Sequence, residues 1–358
     1  MYGFEEGMEA IWKNQHPEDC STAKYLISGG FESGFGSEFH VIGVGLAMAM
    51  NMGRVYVMFP DHGDSSLMAK MDSNNRFQVD IDYCKKQGKL SLDCYYEPWS
   101  SCTIEDALKG TSLQGLRSSG LHLFAHEIVK LENPTARAYI VQLGDSSEIM
   151  PTALYACSPF KPDKYRYWWR SLSAAFLMRP NEPTRQLILQ HRQDQEMSFD
   201  KENEQCVSVH IRRGDKHLEM VRIDDETVFY DQAKQFWLQL KNSTQTKQEK
   251  GIMFIGSEDP GVFATSAEWA TKNDFVVRYS NLFDRTQVTT GLSNEQQQEA
   301  RKANAFKHHE WEYFNMILTL DGHLRCSAFV CTHRSNYCRV IDEMRATVGG
   351  KANKVYAD

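Results

Sequence analysis

The 358-residue sequence lacks features that would assign it to several common protein classes. It has no run of 18 apolar residues, so no membrane-spanning helix is expected within it. It has no basic excess: the net charge of −7 argues against a general nucleic-acid-binding protein. It also has no C-x-x-C pair and no histidine cluster at ligand spacing, so we expect no zinc or other bound metal. The remaining composition is that of a globular protein with room for two domains.

Short apolar segments alternate with helical segments in both halves of the chain, which predicts an α/β fold with two domains, 1–165 and 166–358. In the first half, residues 23–28 and 54–59 are typical of strands, and residues 38–51 of the helix between them. The glycine-rich segment 29–36 follows the first strand but does not match G-x-G-x-x-G. It is interpreted equally well as a phosphate-binding loop or as a tight turn that needs positive φ angles.

A cluster of charged residues follows an apolar run near the middle of the chain. Residues 206–211 alternate small and β-branched residues, as a buried parallel strand does, and Arg212, Arg213, Asp215 and Lys216 come next. Ligands of open α/β sheets bind at the carboxyl ends of strands, and arginine forks match phosphate oxygens. The cluster therefore predicts an anion site. The alternative is a surface ion-pair cluster after a core strand. Within an anion site, Arg213 is either a second contact to the anion or a residue paired internally.

Two later strands are also predicted to end in polar groups. One precedes Glu258, Asp259 and Pro260, and the proline stands where a helix begins. Another precedes Ser335 and Asn336, which form an N-cap signal for a following helix. A helix start is a ready site for an anion. We therefore expect three strand ends to contribute to one anion site.

Five segments, taken in order, resemble motifs of the core α-1,6-fucosyltransferases, which are GT-B enzymes that use GDP-fucose. Residues 210–216 resemble H-V-R-R-T-D-K, residues 257–260 resemble T-D-D-P, and residues 331–339 resemble C-T-F-S-S-Q-V-C-R. Residues 168–180 resemble the family's W-W…Y-L-I-R-P helix, and residues 34–40 its G-Y-G-C-Q-L-H loop. The resemblance covers roughly residues 20 to 346. It implies two Rossmann-like domains facing a cleft: an amino-terminal acceptor-side domain and a carboxyl-terminal domain that binds GDP-fucose.

The resemblance also implies residue roles. Arg212 would clamp the β-phosphate without a metal or any cofactor besides the donor, and Asp215 would orient the arginines or Lys216. Asp321 would read guanine, although a solvated helix-end aspartate is the plain alternative. His210 would face the base or ribose, or be an ordinary strand-end histidine. The full donor-binding set is His210, Arg212, Arg213, Glu258, Asp259, Asp321, Ser335, Asn336, Gly34, Phe35, Gly36 and His40.

The catalytic base is where the sequence departs from the family pattern. The family places a glutamate four residues after the motif lysine, and this chain has Met220 there, preceded by Glu219. Glu219 is therefore the first predicted base. Glu32, in the glycine-rich segment, is its competitor by analogy with the protein O-fucosyltransferases.

The expected activity is inverting, metal-independent transfer of fucose from GDP-fucose to a glycan or glycoprotein, most specifically α-1,6 to the innermost GlcNAc of N-glycans. The alternatives are a chitin-like or cell-wall glycan acceptor, a protein hydroxyl, or a catalytically inactive relative that only binds nucleotide or glycan. Family members are anchored in the Golgi by an amino-terminal helix and stem. Residues 1–6 are not typical of a signal peptide, so we expect any membrane anchor to lie outside this sequence.

The cysteine content supports the same secretory location. Nine cysteines are many for a cytosolic protein, and Asn242 begins a glycosylation sequon. The resemblance implies a disulfide between Cys331 and Cys338. Spacing further suggests the pair Cys94–Cys102, a longer loop closed by Cys20 and Cys84, and buried thiols at Cys206 and Cys326.

Overall fold

A computed structural model describes residues 1, 3–29, 34–58, 79–89, 91–119, 122–124, 135–142, 149–154, 162–193, 205–213, 223, 225–244, 246–282, 311–332, 334–351 and 356–357. The chain forms two compact units, Met1–Val79 with Cys84–Asn181, and Asp80–Tyr83 with Glu182–Asp358. Each unit contains a parallel sheet with helices, which confirms the predicted α/β class with two Rossmann-like halves. The boundary falls after Asn181, whereas the sequence placed it after residue 165. The cleft of a GT-B enzyme stays a prediction.

The first unit is built on a four-stranded sheet in the order β2-β1-β4-β3, with all of these strand pairs parallel. Every residue of β1 is buried, as expected for a strand covered on both faces. The elements are α1 (Phe4–Gln15), β1 (Tyr25–Ser28), α2 (Phe35–Asn51), β2 (Val55–Met58), α3 (Ile81–Lys86), α4 (Ile104–Ala107), α5 (Leu113–Ser118), β3 (His122–Phe124), β4 (Ala138–Gln142) and α6 (Pro162–Leu177), with 3-10 turns at Leu92–Cys94 and Thr152–Leu154. Helix α3 starts in the second unit and ends in the first.

The second unit has a five-stranded parallel sheet in the order β7-β6-β5-β8-β9. Its elements are α7 (Glu182–His191), β5 (Cys206–His210), α8 (Thr227–Thr244), β6 (Gly251–Gly256), α9 (Pro260–Asn273), β7 (Phe275–Arg278), α10 (Glu312–Arg325), β8 (Ala328–Cys331), α11 (Asn336–Ala346) and β9 (Tyr356–Ala357). The chain adds strands outward from β5 to β7 and then crosses back to β8. The strand order therefore reverses between β5 and β8, which is the position where doubly wound sheets bind ligands.

The two faces of β5 have different surroundings. Val207 and Val209 belong to an apolar core with Tyr230 and Trp237 of α8. Because successive side chains of a strand alternate, Ser208 and His210 point to the opposite face. There the His210 ring centre lies 5.8 Å from that of His323 in α10. The polar members of the strand thus face α10.

Two glycines allow α10 to pack directly on the sheet. A Cβ at Gly322 of α10 would lie 2.1 Å from the Phe254 ring of β6. A Cβ at Gly256 would lie 2.6 Å from Nε2 of His323 and 2.7 Å from Cγ2 of Thr319. Larger residues at either position would force the helix away from the strands. Close packing here sets the position of the whole of α10, including Asp321.

The amino end of α10 is capped by a residue from far earlier in the chain. Asp80 is buried, and its two carboxylate oxygens accept hydrogen bonds from the backbone N–H groups of Tyr313 and Phe314, at 3.1 and 2.9 Å. A carboxylate at this end satisfies N–H groups that have no intrahelical partner and complements the helix dipole. This contact explains why Asp80–Tyr83 belongs to the second unit.

The structure corrects the predicted cysteine pairs. The disulfides are Cys20–Cys102, Cys84–Cys94 and Cys206–Cys326. Four cysteines of the first unit therefore form two bonds, but with partners other than the predicted Cys94–Cys102 and Cys20–Cys84. Spacing cannot decide among the three connectivities open to four cysteines, because the deciding contacts are distant in sequence.

The remaining cysteine predictions are also wrong. Cys206 and Cys326, predicted as buried thiols, are joined at the amino ends of β5 and β8, where the Ser327 N–H donates to the Cys206 carbonyl at 2.9 Å. Cys331 and Cys338 are buried thiols instead of the expected disulfide partners. A buried thiol packs as a small apolar group, which suits the end of β8 and the inner face of α11.

Helix α2 shows how the apolar segments are used. It has 17 residues and packs on α6, where the indole N–H of Trp169 donates to the Gly43 carbonyl at 3.2 Å. In the part of the chain that the structure describes, no helix is both long enough and apolar enough to cross a membrane.

Candidate functional site

Three strand ends meet at one edge of the second sheet. In the pairing register, His210 at the end of β5 lies opposite Gly256 at the end of β6 and opposite Cys331 at the end of β8. The segments after these strands therefore start side by side. The β5–β8 pair within this group is the point where the strand order reverses. The predicted convergence of the three strand ends is confirmed.

Arg212 and Glu258 form an ion pair across the first two strand ends. Arg212 Nη1 lies 2.7 Å from Glu258 Oε1, and the two side chains are 26% and 20% exposed. The same oxygen accepts the backbone N–H of Arg213 at 2.6 Å. Glu258 was predicted among the donor-binding residues; in the structure its carboxylate holds Arg212 and the turn that carries it. The Arg212 guanidinium is thus held at the sheet edge by an ion pair with the neighbouring strand end.

Hydrogen bonds fix the β6 end to the β5 end. The Ser257 hydroxyl donates to the Ile211 carbonyl at 2.8 Å, and the Ile211 N–H donates to the Gly256 carbonyl at 3.0 Å. Asp259 is the N-cap of α9 and accepts the Gly261 N–H at 2.8 Å. The helix start predicted from Pro260 is confirmed. The Asp259 carboxylate, predicted to bind the donor, serves as a helix cap.

Arg213 has a different environment from its neighbour. Its side chain is 2% exposed, and its guanidinium donates to Glu226 and to the Ile223 carbonyl. These contacts match the internal pairing that the sequence left open. A donor-binding role for Arg213 does not fit them, because moving this buried guanidinium towards a ligand would break its contacts with Glu226 and with the Ile223 carbonyl. The partner Glu226, just before α8, had no distinguishing sequence signal.

His210 is buried at the end of β5. Its ring centre is 4.9 Å from that of Tyr337 in α11, and its exposure is 5%. Burial, and secondarily the charge of Arg212, lower the pKa of His210 to about 3. The imidazole is therefore neutral at pH 7 and can offer one N–H and one lone pair. His323 is fully buried beside it, and its pKa is likewise lowered by burial.

The start of α11 lies at the third strand end. Ser335 is the buried N-cap residue, as predicted, and its N–H donates to the Thr332 carbonyl at 2.9 Å. The Ser335 hydroxyl makes no capping hydrogen bond to the helix. The Asn336 amide oxygen accepts from Arg339 Nη2 at 2.5 Å, so it supports the first turn of α11. An 11-residue helix thus directs its positive dipole end to the Arg212 edge.

Asp321, the predicted guanine-reading carboxylate, is bound by Arg192. Arg192 Nε donates to Oδ2 at 2.9 Å and Nη2 donates to Oδ1 at 2.5 Å. Sequence reasoning did not identify Arg192. Arg192 lies at the end of α7, and a basic residue at that position more often stabilises the helix end, so it gave no signal of a role at Asp321.

Four of the predicted catalytic residues lie outside the part of the chain that the structure describes. Asp215, Lys216, Glu219 and Glu32 fall outside the described residues, so their roles stay predictions.

The first-unit residues of the predicted loop belong mainly to α2. Gly34 is its N-cap, whereas Phe35 and Gly36 form its first turn and His40 lies buried in its second. The loop therefore ends two residues earlier than predicted. The donor-binding roles of these four residues stay predictions.

Carboxylates near the site do not form a metal centre within the described ranges, which contain no group of three or more His, Cys, Asp or Glu side chains that could hold an ion. Asp225, one of two adjacent aspartates near the cluster, accepts the N–H and hydroxyl of Thr227 at 2.9 and 2.6 Å. It therefore caps α8.

Comparisons with known proteins give structural similarity only. No protein-family model and no curated protein sequence matches the chain. POFUT1 in its apo form is similar over 95% of this chain and 99% of its own, at 11% identity and a TM-score of 0.48. A mutant of FUT1 from Arabidopsis thaliana in complex with GDP is similar over 96% of this chain and 73% of its own, at 11% identity and a TM-score of 0.45. NodZ α-1,6-fucosyltransferase soaked with GDP-fucose is similar over 90% of this chain and 92% of its own, at 11% identity and a TM-score of 0.41. These values do not establish a family.

Proposed function

We propose that this chain is an inverting, metal-independent glycosyltransferase that takes fucose from GDP-fucose. The observation that carries the proposal is the convergence of Arg212, Glu258 and the start of α11 at the switch point of a Rossmann-like sheet. The ordered motif resemblance over most of the chain supplies the choice of nucleotide sugar. Neither a surface ion-pair cluster nor a helix start alone would single out a diphosphate.

The chemistry follows from charge. When the fucose–phosphate bond breaks, negative charge grows on the departing β-phosphate. A guanidinium offers two parallel N–H groups to its oxygens, and the positive end of α11 adds to the field. Both side chains of the Arg212–Glu258 pair are in part open to solvent, so a phosphate could reach Arg212 and compete with the Glu258 carboxylate. Such preorganised donors commonly contribute about 10²–10³-fold to a rate. This would supply the leaving-group stabilisation that other transferases obtain from a metal.

For the acceptor, we propose the innermost GlcNAc of N-glycans, fucosylated α-1,6. The support is the order of motifs shared with the core enzymes. Glu219 would take the proton of the acceptor hydroxyl, with Glu32 as the competing base. A base in the first unit would favour a protein hydroxyl as acceptor instead.

We further propose that the protein works in the Golgi lumen or elsewhere in the secretory pathway. Three disulfides support an oxidising compartment. The sequon asparagine Asn242 is exposed near the end of α8, where an attached glycan would find space.

The proposal is tested first by binding. GDP at 100 times its Kd should stabilise the protein by about 2.7 kcal/mol, and EDTA should not reduce this stabilisation. Thermal unfolding with GDP, UDP and no nucleotide measures it. No shift with GDP would contradict the donor assignment, and a shift that EDTA removes would contradict the metal-free site.

The second test is turnover of GDP-fucose with a panel of acceptors. N-glycans with and without the innermost GlcNAc, chitin oligosaccharides and a folded protein acceptor separate the acceptor classes. Transfer to N-glycans that depends on the innermost GlcNAc supports the core activity. GDP binding without transfer or hydrolysis on any acceptor would instead favour an inactive nucleotide-binding relative.

A further inference from the structure

Arg192 and Asp321 form a side-chain fork with two hydrogen bonds. Both carboxylate oxygens of Asp321 are used, one by Nε at 2.9 Å and one by Nη2 at 2.5 Å. The Asp321 side chain is 12% exposed and that of Arg192 is 37% exposed. Arg192 directly follows α7, and its N–H donates to the Ile188 carbonyl at 2.9 Å. The pair therefore joins the end of α7 to α10.

The chemistry of this fork matches that of a guanine edge. Guanine presents the N1–H and the 2-amino N–H side by side on a shared carbon, which is the same N–C–N fragment that a guanidinium presents with Nε and Nη2. A carboxylate accepts either through its two oxygens at once. The two partners therefore compete for the same pair of oxygens, because a bound guanidinium blocks that side of the carboxylate.

We propose that Arg192 is an internal competitor for the guanine base: it occupies the Asp321 carboxylate, and a guanine nucleotide must displace it to bind. This inference rests on the proposed function and on the guanine-reading role that the sequence resemblance implies for Asp321. Arg192 would thus set the affinity for the nucleotide without contacting it in the bound state.

The surroundings make displacement feasible. Arg192 is more than a third exposed, so its guanidinium can return to water at modest cost. Arg325 lies four residues after Asp321 on α10, and the charges of both partners act on it: burial lowers the pKa of Arg325, Asp321 opposes that shift, and Arg192 adds to it. Departure of Arg192 would therefore relieve the repulsion between the two arginines.

The test compares Arg192→Gln with Arg185→Gln. Arg185 is a matched control, because it lies on α7 and pairs at 2.8 Å with Glu182, both well exposed. Titration calorimetry measures Kd for GDP and UDP. We expect Arg192→Gln to bind GDP about 10-fold more tightly, which corresponds to about 1.4 kcal/mol. UDP affinity should not rise, and Arg185→Gln should behave as wild type. General electrostatics predicts the opposite sign, since losing a cation weakens the binding of an anion.

The outcomes separate this inference from the proposed function. If wild type binds GDP and Arg192→Gln binds it equally or less tightly, the inference is overturned and the proposed function stands. Equal tightening for GDP and UDP also overturns it. If neither protein binds GDP, the proposed function fails and the inference with it. Should Arg192→Gln fail to fold, Arg192→Lys provides the same test, because one ammonium group cannot reproduce the two-bond fork.

Discussion

The two ends of the second sheet use arginine in opposite ways. At the amino-terminal end, Arg345 of α11 is fully buried and donates to the carbonyls of His323, Cys326 and Ser327 at 2.6, 2.7 and 3.1 Å. At the carboxyl-terminal end, Arg212 is partly exposed and pairs with a side-chain carboxylate. Backbone carbonyls cannot leave the guanidinium they bind, whereas the Glu258 carboxylate can be replaced by another anion. We therefore expect Arg345 to stabilise the fold and Arg212 to be able to bind a ligand.

The covalent link sharpens this contrast. Cys206 and Cys326 join β5 to β8 at the amino-terminal end of the sheet, whereas hydrogen bonds and an ion pair connect the described residues at the carboxyl-terminal strand ends. Removal of the disulfide at the amino-terminal end should therefore lower stability, whereas changes to Arg212 at the carboxyl-terminal end should lower the rate of transfer.

The largest effect is expected from breaking the Cys206–Cys326 disulfide, for instance in a Cys206→Ser, Cys326→Ser double variant. The bond closes a loop of sequence separation 120, and cross-links of this length stabilise by about 4–5 kcal/mol in the chain-entropy model. Denaturant unfolding measures the loss. GDP affinity well below the transition should stay near that of wild type, because the bond lies away from the three strand ends. A variant with normal stability and poor GDP affinity would contradict the view that the amino-terminal end of the sheet stabilises the fold and the carboxyl-terminal end binds the ligand.

Next in size is the effect of Arg212→Lys on catalysis. A single ammonium cannot replace a two-bond fork, so transfer should fall by about 10²–10³-fold. The melting temperature should change little, because Arg212 is partly exposed. Arg213→Lys is the internal comparison and should lower the melting temperature more than the rate, since Arg213 is buried against Glu226. The reverse pattern would identify Arg213 as the phosphate clamp.

Per pH unit, the smallest expected change is a pH dependence of stability from His210 and His323. Their pKa values in the folded protein lie below the ordinary value near 6.5, with that of His210 at about 3, so the folded state binds fewer protons than the unfolded state. The stability is fully present above pH 6.5 and is lost as the pH falls from 6.5 towards 3. Each histidine contributes a slope of up to about 1.4 kcal/mol per pH unit. His323→Phe should remove roughly one such slope in denaturant titrations at several pH values; an unchanged slope would contradict neutral burial of His323.

The strands that the sequence predicted well are those with continuous apolar runs. β5, β6 and β8 are buried throughout, so their composition alone distinguishes them. The edge strand β7 was not identified, because three of its four residues are only half-buried and its run ends in Arg278. An apolar composition indicates a buried strand, and an edge strand is less buried, so its composition is less distinctive.

The site residues could likewise be predicted only where the signal lies in adjacent sequence. Arg212 and the N-cap position of Ser335 were predictable, because each depends on residues adjacent in sequence. The partners Arg192 of Asp321 and Glu226 of Arg213 were not, because each ion pair joins residues that are apart in sequence and meet only in the folded chain. The disulfide partners failed for the same reason.

The cap that Asp80 gives to α10 has a consequence for how the protein can be made. Asp80 leaves the ribosome more than 230 residues before the helix whose N–H groups it satisfies, since the hydrogen bonds span 233 and 234 positions. The second unit therefore cannot be completed from its own contiguous stretch of chain, and a fragment starting at Glu182 would produce α10 without its buried carboxylate. During synthesis, Asp80 must remain available until Tyr313 and Phe314 have emerged. The helix that carries Asp321 and His323 is thus among the last parts of the molecule to reach its final form.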